Sequence, residues 1–125
     1  MAMALVIDDD PQVRCLIAMM LKRAGYEVAQ AKDGGEGIEL CASLEPEVIV
    51  TDIFMPHVDG IDVLREAKVG SRQPRVVAIS GGSPRLPVDY LNVAQTLGAD
   101  AVVQKPFTPS QLLQAVTGNP EHIFA

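Results

Sequence analysis

The sequence contains no tryptophan and only five aromatic residues, Tyr26, Phe54, Tyr90, Phe107 and Phe124. That excludes a platform on which the bases of a single strand stack in series. Positive charge is also scarce: ten Lys and Arg against sixteen Asp and Glu leave a net charge of −6, the wrong sign for direct nucleic acid binding through phosphates. Long apolar runs are missing as well. The two longest, Met1 to Ile7 and Cys15 to Leu21, have seven residues each, against the roughly 20 that a bilayer span needs, so no membrane insertion is expected. The first run lacks a basic flank and ends in Asp8-Asp9-Asp10, which reads as a strand entering a polar site and not as a signal peptide. Cys15 and Cys41 show neither CxxC spacing nor a disulfide framework. They point to a reducing, cytoplasmic setting and to half-buried thiols on helices.

What is present suits one folded domain. Apolar residues make up 48% of the 125 and charged residues 21%, enough to build a core and too little charge for disorder. Five short apolar segments alternate with five longer helical patterns. The strand candidates are 3–8, 26–31, 47–52, 75–80 and 100–104, rich in Val, Ile and Ala. Most are apolar throughout, and a continuously apolar strand belongs in a parallel sheet covered on both faces. An α/β, doubly wound, five-stranded parallel sheet is therefore expected.

Caps mark the helices. Asp10-Pro11 supplies a capping carboxylate and a proline at the first helical position, and Gly25 closes that helix after Val13, Leu16, Ile17, Met20, Leu21 and Ala24, whose spacing puts them on one face. Asp33 with Glu36, and Thr108 with Gln111, predict capping boxes opening helices at 34–44 and 109–117. Asp59-Gly60 opens another to about residue 69. A further helix near 87–97 follows the breaker-rich stretch from Gly81 to Pro87.

Ligands of a doubly wound sheet bind outside the carboxyl ends of its strands, where the strand order reverses. At those ends stand Asp8 and Asp9, Asp52, Ser80, and Gln104 followed by Lys105; the second strand offers only Ala31 and Lys32. If the order is 2-1-3-4-5, the first and third strands are neighbours and the three carboxylates converge. Packed carboxylates repel, and a hard divalent cation with oxygen ligands relieves them. Mg²⁺ fits because it keeps waters and leaves positions for phosphoryl oxygens, and one of the carboxylates can itself accept a phosphoryl group. Lys105 and Ser80 complete a phosphate-sized site. Gly34, Gly35 and Gly37 are no dinucleotide fingerprint, since they lack the GxGxxG order. His57 and His122 lack ligand-like spacing.

Val6-Ile7-Asp8-Asp9-Asp10-Pro11, Thr51-Asp52-Ile53-Phe54-Met55-Pro56 with Asp59-Gly60, Ala78-Ile79-Ser80 and Lys105-Pro106-Phe107 resemble, in order, the successive motifs of the receiver domain of two-component response regulators, of the chemotaxis-regulator type. The resemblance covers essentially the whole chain. It implies a flavodoxin-like fold, strand order 2-1-3-4-5, helices on both faces, and a single receiver domain over residues 1–125 without an output domain. It implies that Asp52 is the phosphoacceptor, that Asp9 ligates Mg²⁺ directly and Asp8 largely through water, and that the backbone carbonyl of Phe54 is the third protein contact to the metal. Lys105 would pair with the phosphoryl oxygens, and Ser80 would hydrogen-bond to them and move when they arrive. The Lys105-Pro106 peptide would be cis. The implied donor is a sensor histidine kinase or phosphotransfer protein, and the implied output is a surface change read by a downstream protein the sequence does not name.

Two other classes compete with this switch. A metal-dependent aspartyl-phosphate phosphohydrolase of the haloacid-dehalogenase type wants a second Asp two residues after its nucleophile, where this chain has Phe54. A pseudo-receiver that never sees phosphate typically loses the acceptor, the acidic pair or the lysine, and all are here. The chain is expected to be no enzyme toward external substrates. It departs from the family at Val102, three residues before Lys105, where better-known receivers carry a rotating aromatic. The response is accordingly expected along Gly81 to Leu86, where two glycines ease backbone change.

Overall fold

Continuous apolarity carries five segments into one sheet. The computed structural model describes residues 2–52, 60–67, 73–80 and 98–118. Within them the chain runs β1 (Met3–Ile7), α1 (Pro11–Arg23), β2 (Glu27–Ala31), α2 (Gly34–Leu44), β3 (Val48–Asp52), α3 (Gly60–Ala67), β4 (Arg75–Ser80), β5 (Ala101–Gln104) and α4 (Pro109–Thr117). All strand pairs are parallel and the order is β2-β1-β3-β4-β5. The helix expected near 87–97, the Gly81 to Leu86 stretch, Phe54, His57 and His122 lie outside the described residues, as does the side chain of Ser80.

Strand periodicity sorts the core into two layers. Ala4 and Val6, Val48 and Val50, Val77 and Ile79, and Val103 face one way, onto Ile17 and Leu21 of α1 and Leu112, Ala115 and Val116 of α4. Leu5 and Ile7, Ile49, and Val76 and Ala78 face the other way, onto Val63 and Ala67 of α3 with Ile38 and Cys41 of α2 beside them. Val102 packs against this second layer. Both faces of the sheet are thus covered, which is why the strands read as apolar runs.

Among the described residues the caps form as the sequence requires, with one difference; Asp59, expected to open α3, lies outside them. Asp10 accepts from the backbone N–H of Gln12 and Val13, and Thr108 and Gln111 make a reciprocal capping box. At Asp33 only the bond from the Glu36 N–H forms. The apolar face of α1 is also narrower than its spacing predicts. Ile17, Ala18 and Leu21 are buried, whereas Leu16 is 50% exposed and Ala24 exposed as well. Cys15, expected half-buried, is exposed; Cys41 is half-buried, and burial pushes its thiol up from the ordinary range.

One glycine sets the distance between α2 and β1. A Cβ at Gly37 would run into Cδ1 of Ile7 and stand 2.9 Å from its Cγ1, and Ile7 is buried. Gly37→Ala is therefore expected to destabilise by about 1–2 kcal/mol, the cost of overpacking less the gain in helix propensity. Adding Ile7→Val removes the atom that collides, so the double variant should be more stable than the sum of the two single losses predicts. Strictly additive losses in urea denaturation would contradict the close approach.

Candidate functional site

The crossing from β2 back to β3 places the reversal of strand order between β1 and β3, whose carboxyl ends are adjacent. Asp8 and Asp9 follow β1, and Asp52 is the last residue of β3. Each of the three offers a carboxylate oxygen, and these oxygens all lie within 4.8 Å of one another. Asp8 is 1% exposed and Asp52 6%, while Asp9 is exposed. The convergence expected from the strand ends is therefore realised, and it sits at the topological switch point.

Lys105 reaches this cluster from beyond the end of β5. Its Nζ lies 3.2 Å from Oδ2 of Asp52 and 3.4 Å from Oδ2 of Asp8. The Lys105-Pro106 peptide is cis, as the family resemblance implies. The backbone N–H of Asp10 donates to Oδ1 of Asp8 at 2.9 Å, so Asp8 is held from both sides. The hydroxyl of Thr51 donates to the Asp52 carbonyl oxygen at 3.1 Å. Ser80 ends β4, paired in register with Gln104 of β5, which sets its backbone at the same sheet edge.

The electrostatics follow from burial. Asp8 is held above the ordinary carboxylate range because burial outweighs the Asp10 N–H and the Lys105 ammonium, both of which favour its charge, and Asp52 adds repulsion. For Lys105 burial also works against the charge, but Asp52 and Asp8 together overcome it and hold the ammonium above its usual range. One cation thus serves two buried carboxylates. The exposed Asp9 has no hydrogen-bond or ion-pair partner among the described residues.

The donor set fits a small hard cation. Oxygens around an octahedral Mg²⁺ at about 2.1 Å stand about 3 Å apart when adjacent and about 4.2 Å apart when opposite. Three carboxylate oxygens within 4.8 Å need only small side-chain shifts to reach such a shell. Oxygen-only ligation also suits Mg²⁺ better than softer metals.

Nothing in the strand-end reading anticipates two neighbours of the cluster. Arg14, the fourth residue of α1, donates from Nη1 to the Asp8 carbonyl oxygen at 3.1 Å and from Nε to Oε1 of Gln30 at 3.2 Å. A cation so near a helix N-terminus runs against the helix dipole, and that mismatch is the signal the sequence carried. Gln30, an exposed residue of β2, gave none.

The chain matches the response regulator receiver domain family over residues 4–117. Among solved structures it is similar to a response regulator receiver domain protein from Clostridium thermocellum, at 28% identity and a TM-score of 0.85, covering 99% of this chain and 98% of that one. It is also similar to chemotaxis protein CheY4 of Vibrio cholerae, at 26% identity and a TM-score of 0.83, covering 94% of this chain and 98% of that one. A response regulator protein from Burkholderia pseudomallei, solved with a phosphorylated aspartic acid, a calcium ion and citrate, shares the fold at 23% identity and a TM-score of 0.82, over 99% of this chain and 71% of that one. The chain belongs to the response regulator receiver domain family, matched from within β1 to the last residue of α4.

Proposed function

We propose that this receiver domain is switched by transfer of a phosphoryl group to Asp52, with Mg²⁺ bound beside it. The observation that carries the reading is the meeting of Asp8, Asp9 and Asp52 at the sheet edge with Lys105 Nζ 3.2 Å from the Asp52 carboxylate. In the transfer, Oδ of Asp52 attacks phosphorus of a phosphohistidine on a sensor kinase or phosphotransfer protein. The P–O bond forms as the P–N bond breaks, and the electron pair of the broken bond stays on the imidazole nitrogen, which takes up a proton. Asp9 would hold the metal directly and Asp8 largely through water, with Asp52 and the Phe54 carbonyl as the other protein contacts. When bound, Mg²⁺ neutralises the carboxylates and the phosphoryl oxygens in place of bulk water.

Lys105 then exchanges its carboxylate partners for a phosphoryl oxygen, a charge-assisted bond of the same kind. The Ser80 hydroxyl gains a bond to another phosphoryl oxygen, and that gain biases the domain toward the conformation its output partner reads. On this reading the domain turns over no external substrate, since no further general acid joins the cluster among the described residues, and it works in the cytoplasm with its donor. Incubation with acetyl phosphate and Mg²⁺ followed by intact-mass measurement tests the reading. One phosphoryl group should be gained, and hydroxylamine should remove it. A protein that stays unlabelled, or a label resistant to hydroxylamine, would refute it.

A further inference from the structure

The three carboxylates of the cluster are not held equally. Asp8 is fixed by the Asp10 N–H and Lys105, and Asp52 by Lys105. Asp9 is exposed and has no side-chain partner among the described residues. Its aim depends on the backbone that carries it, first of all on the Asp8-Asp9 peptide. The carbonyl oxygen of that peptide accepts the Arg14 Nη1–H at 3.1 Å, and Gln30 fixes the other arm of the same guanidinium at 3.2 Å. A planar fork held at two points sets direction in a way a single ammonium cannot.

We propose that Arg14, aimed by Gln30, is a positioning residue for the divalent-cation site, acting on Asp9 through the Asp8-Asp9 peptide. The proposal rests on the reading of the acidic cluster as a Mg²⁺ site. Both oxygens that Arg14 bonds among the described residues are neutral, one a backbone carbonyl and one an amide, so no carboxylate of those residues neutralises its charge by direct contact. That charge by itself opposes a cation arriving at Asp9. Geometry and charge therefore act with opposite signs on metal affinity, and the sign of the change on removing Arg14 tells which dominates. Outer-shell groups that orient metal ligands are commonly worth tenfold or more in affinity, whereas the charge of the half-buried Arg14 is still partly screened by solvent and salt. Geometry should win.

The test is calorimetric titration with MgCl₂, without any phosphoryl donor, on the folded full chain. Arg14→Ala should weaken Mg²⁺ binding by about tenfold. Gln30→Ala should weaken it less, by about threefold, as expected for one hydrogen bond to the orienting group. Arg14→Lys, which keeps the charge and loses the fork, should fall between wild type and Arg14→Ala. In an Asp9→Asn background Arg14→Ala should make little further difference, because the group it positions has already gone. Unchanged or tighter binding in Arg14→Ala would overturn the proposal, and so would full additivity with Asp9→Asn. If Arg14→Ala does not fold, Gln30→Ala decides alone, since Gln30 is exposed on the edge strand β2, and unchanged affinity there would overturn it. Absence of Mg²⁺ binding in the wild type would instead remove the metal site itself, and this proposal with it.

Discussion

Asp52→Asn should reduce phosphoryl labelling by acetyl phosphate to background while leaving the protein folded. The proposed acceptor must offer an anionic oxygen beside the proposed cation site, and Asp52 stands at the end of the central strand β3. Its neighbours are poorer acceptors for different reasons. Asp8 is 1% exposed against 6% for Asp52 and is engaged by the Asp10 N–H as well as by Lys105, so a phosphorus atom reaches it less readily than Asp52. Asp9 is exposed and lacks the Lys105 ammonium that would stabilise charge on the transferred group. The Asn amide keeps the shape of the carboxylate and an oxygen that still accepts from Lys105, so loss of fold is no explanation for loss of label. A folded Asn variant labelled at the wild-type rate would remove Asp52 from the role.

Why so much of this site was legible lies in the architecture. A doubly wound sheet converts five sequence positions, the residues ending five strands, into one edge, so Asp8, Asp52 and Lys105 could be brought together on paper. Strand boundaries held to within a residue because each apolar run stops at a charged or polar group; β1 ends at Ile7 and not at Asp8 because Asp8 turns into the site. Leu16 was misread because helical spacing cannot tell a core stripe from its rim. A residue at the edge of the apolar arc is left half in solvent where the sheet below it ends. The pairing of Arg14 with Gln30 was missed for another reason, because a cation near a helix start hints at a role and names no partner. The bond between them joins the start of α1 to β2 across 16 residues, and no local pattern records a contact of that span.

Lys105→Met should destabilise the Mg²⁺-free protein by about 2–3 kcal/mol at neutral pH, and Mg²⁺ should recover much of that loss. Removing one member of a buried ionic group leaves its partners uncompensated, at about 3–5 kcal/mol when burial is complete. Lys105 retains 21% side-chain exposure, against 2% for Asp8 and 7% for Asp52, so the lower figure applies. The pH dependence has a definite sign. Asp8 already sits above the ordinary carboxylate range through burial, and Lys105 is one of the groups pulling it back. Without the ammonium its folded-state value rises further. A raised folded-state value means stability is fully present at pH below the unfolded value and is lost as pH climbs through the folded one. The gap between wild type and Lys105→Met should therefore widen from pH 5 to pH 7.5 in chelator. Mg²⁺ supplies by coordination the positive charge the variant lacks, so its stabilising increment should exceed that in wild type at the same concentration. Urea denaturation at two pH values, with EDTA or with Mg²⁺, reads all three effects. A gap that stays constant with pH, together with an equal Mg²⁺ increment in both proteins, would mean that Lys105 contributes packing and not charge to the acidic cluster.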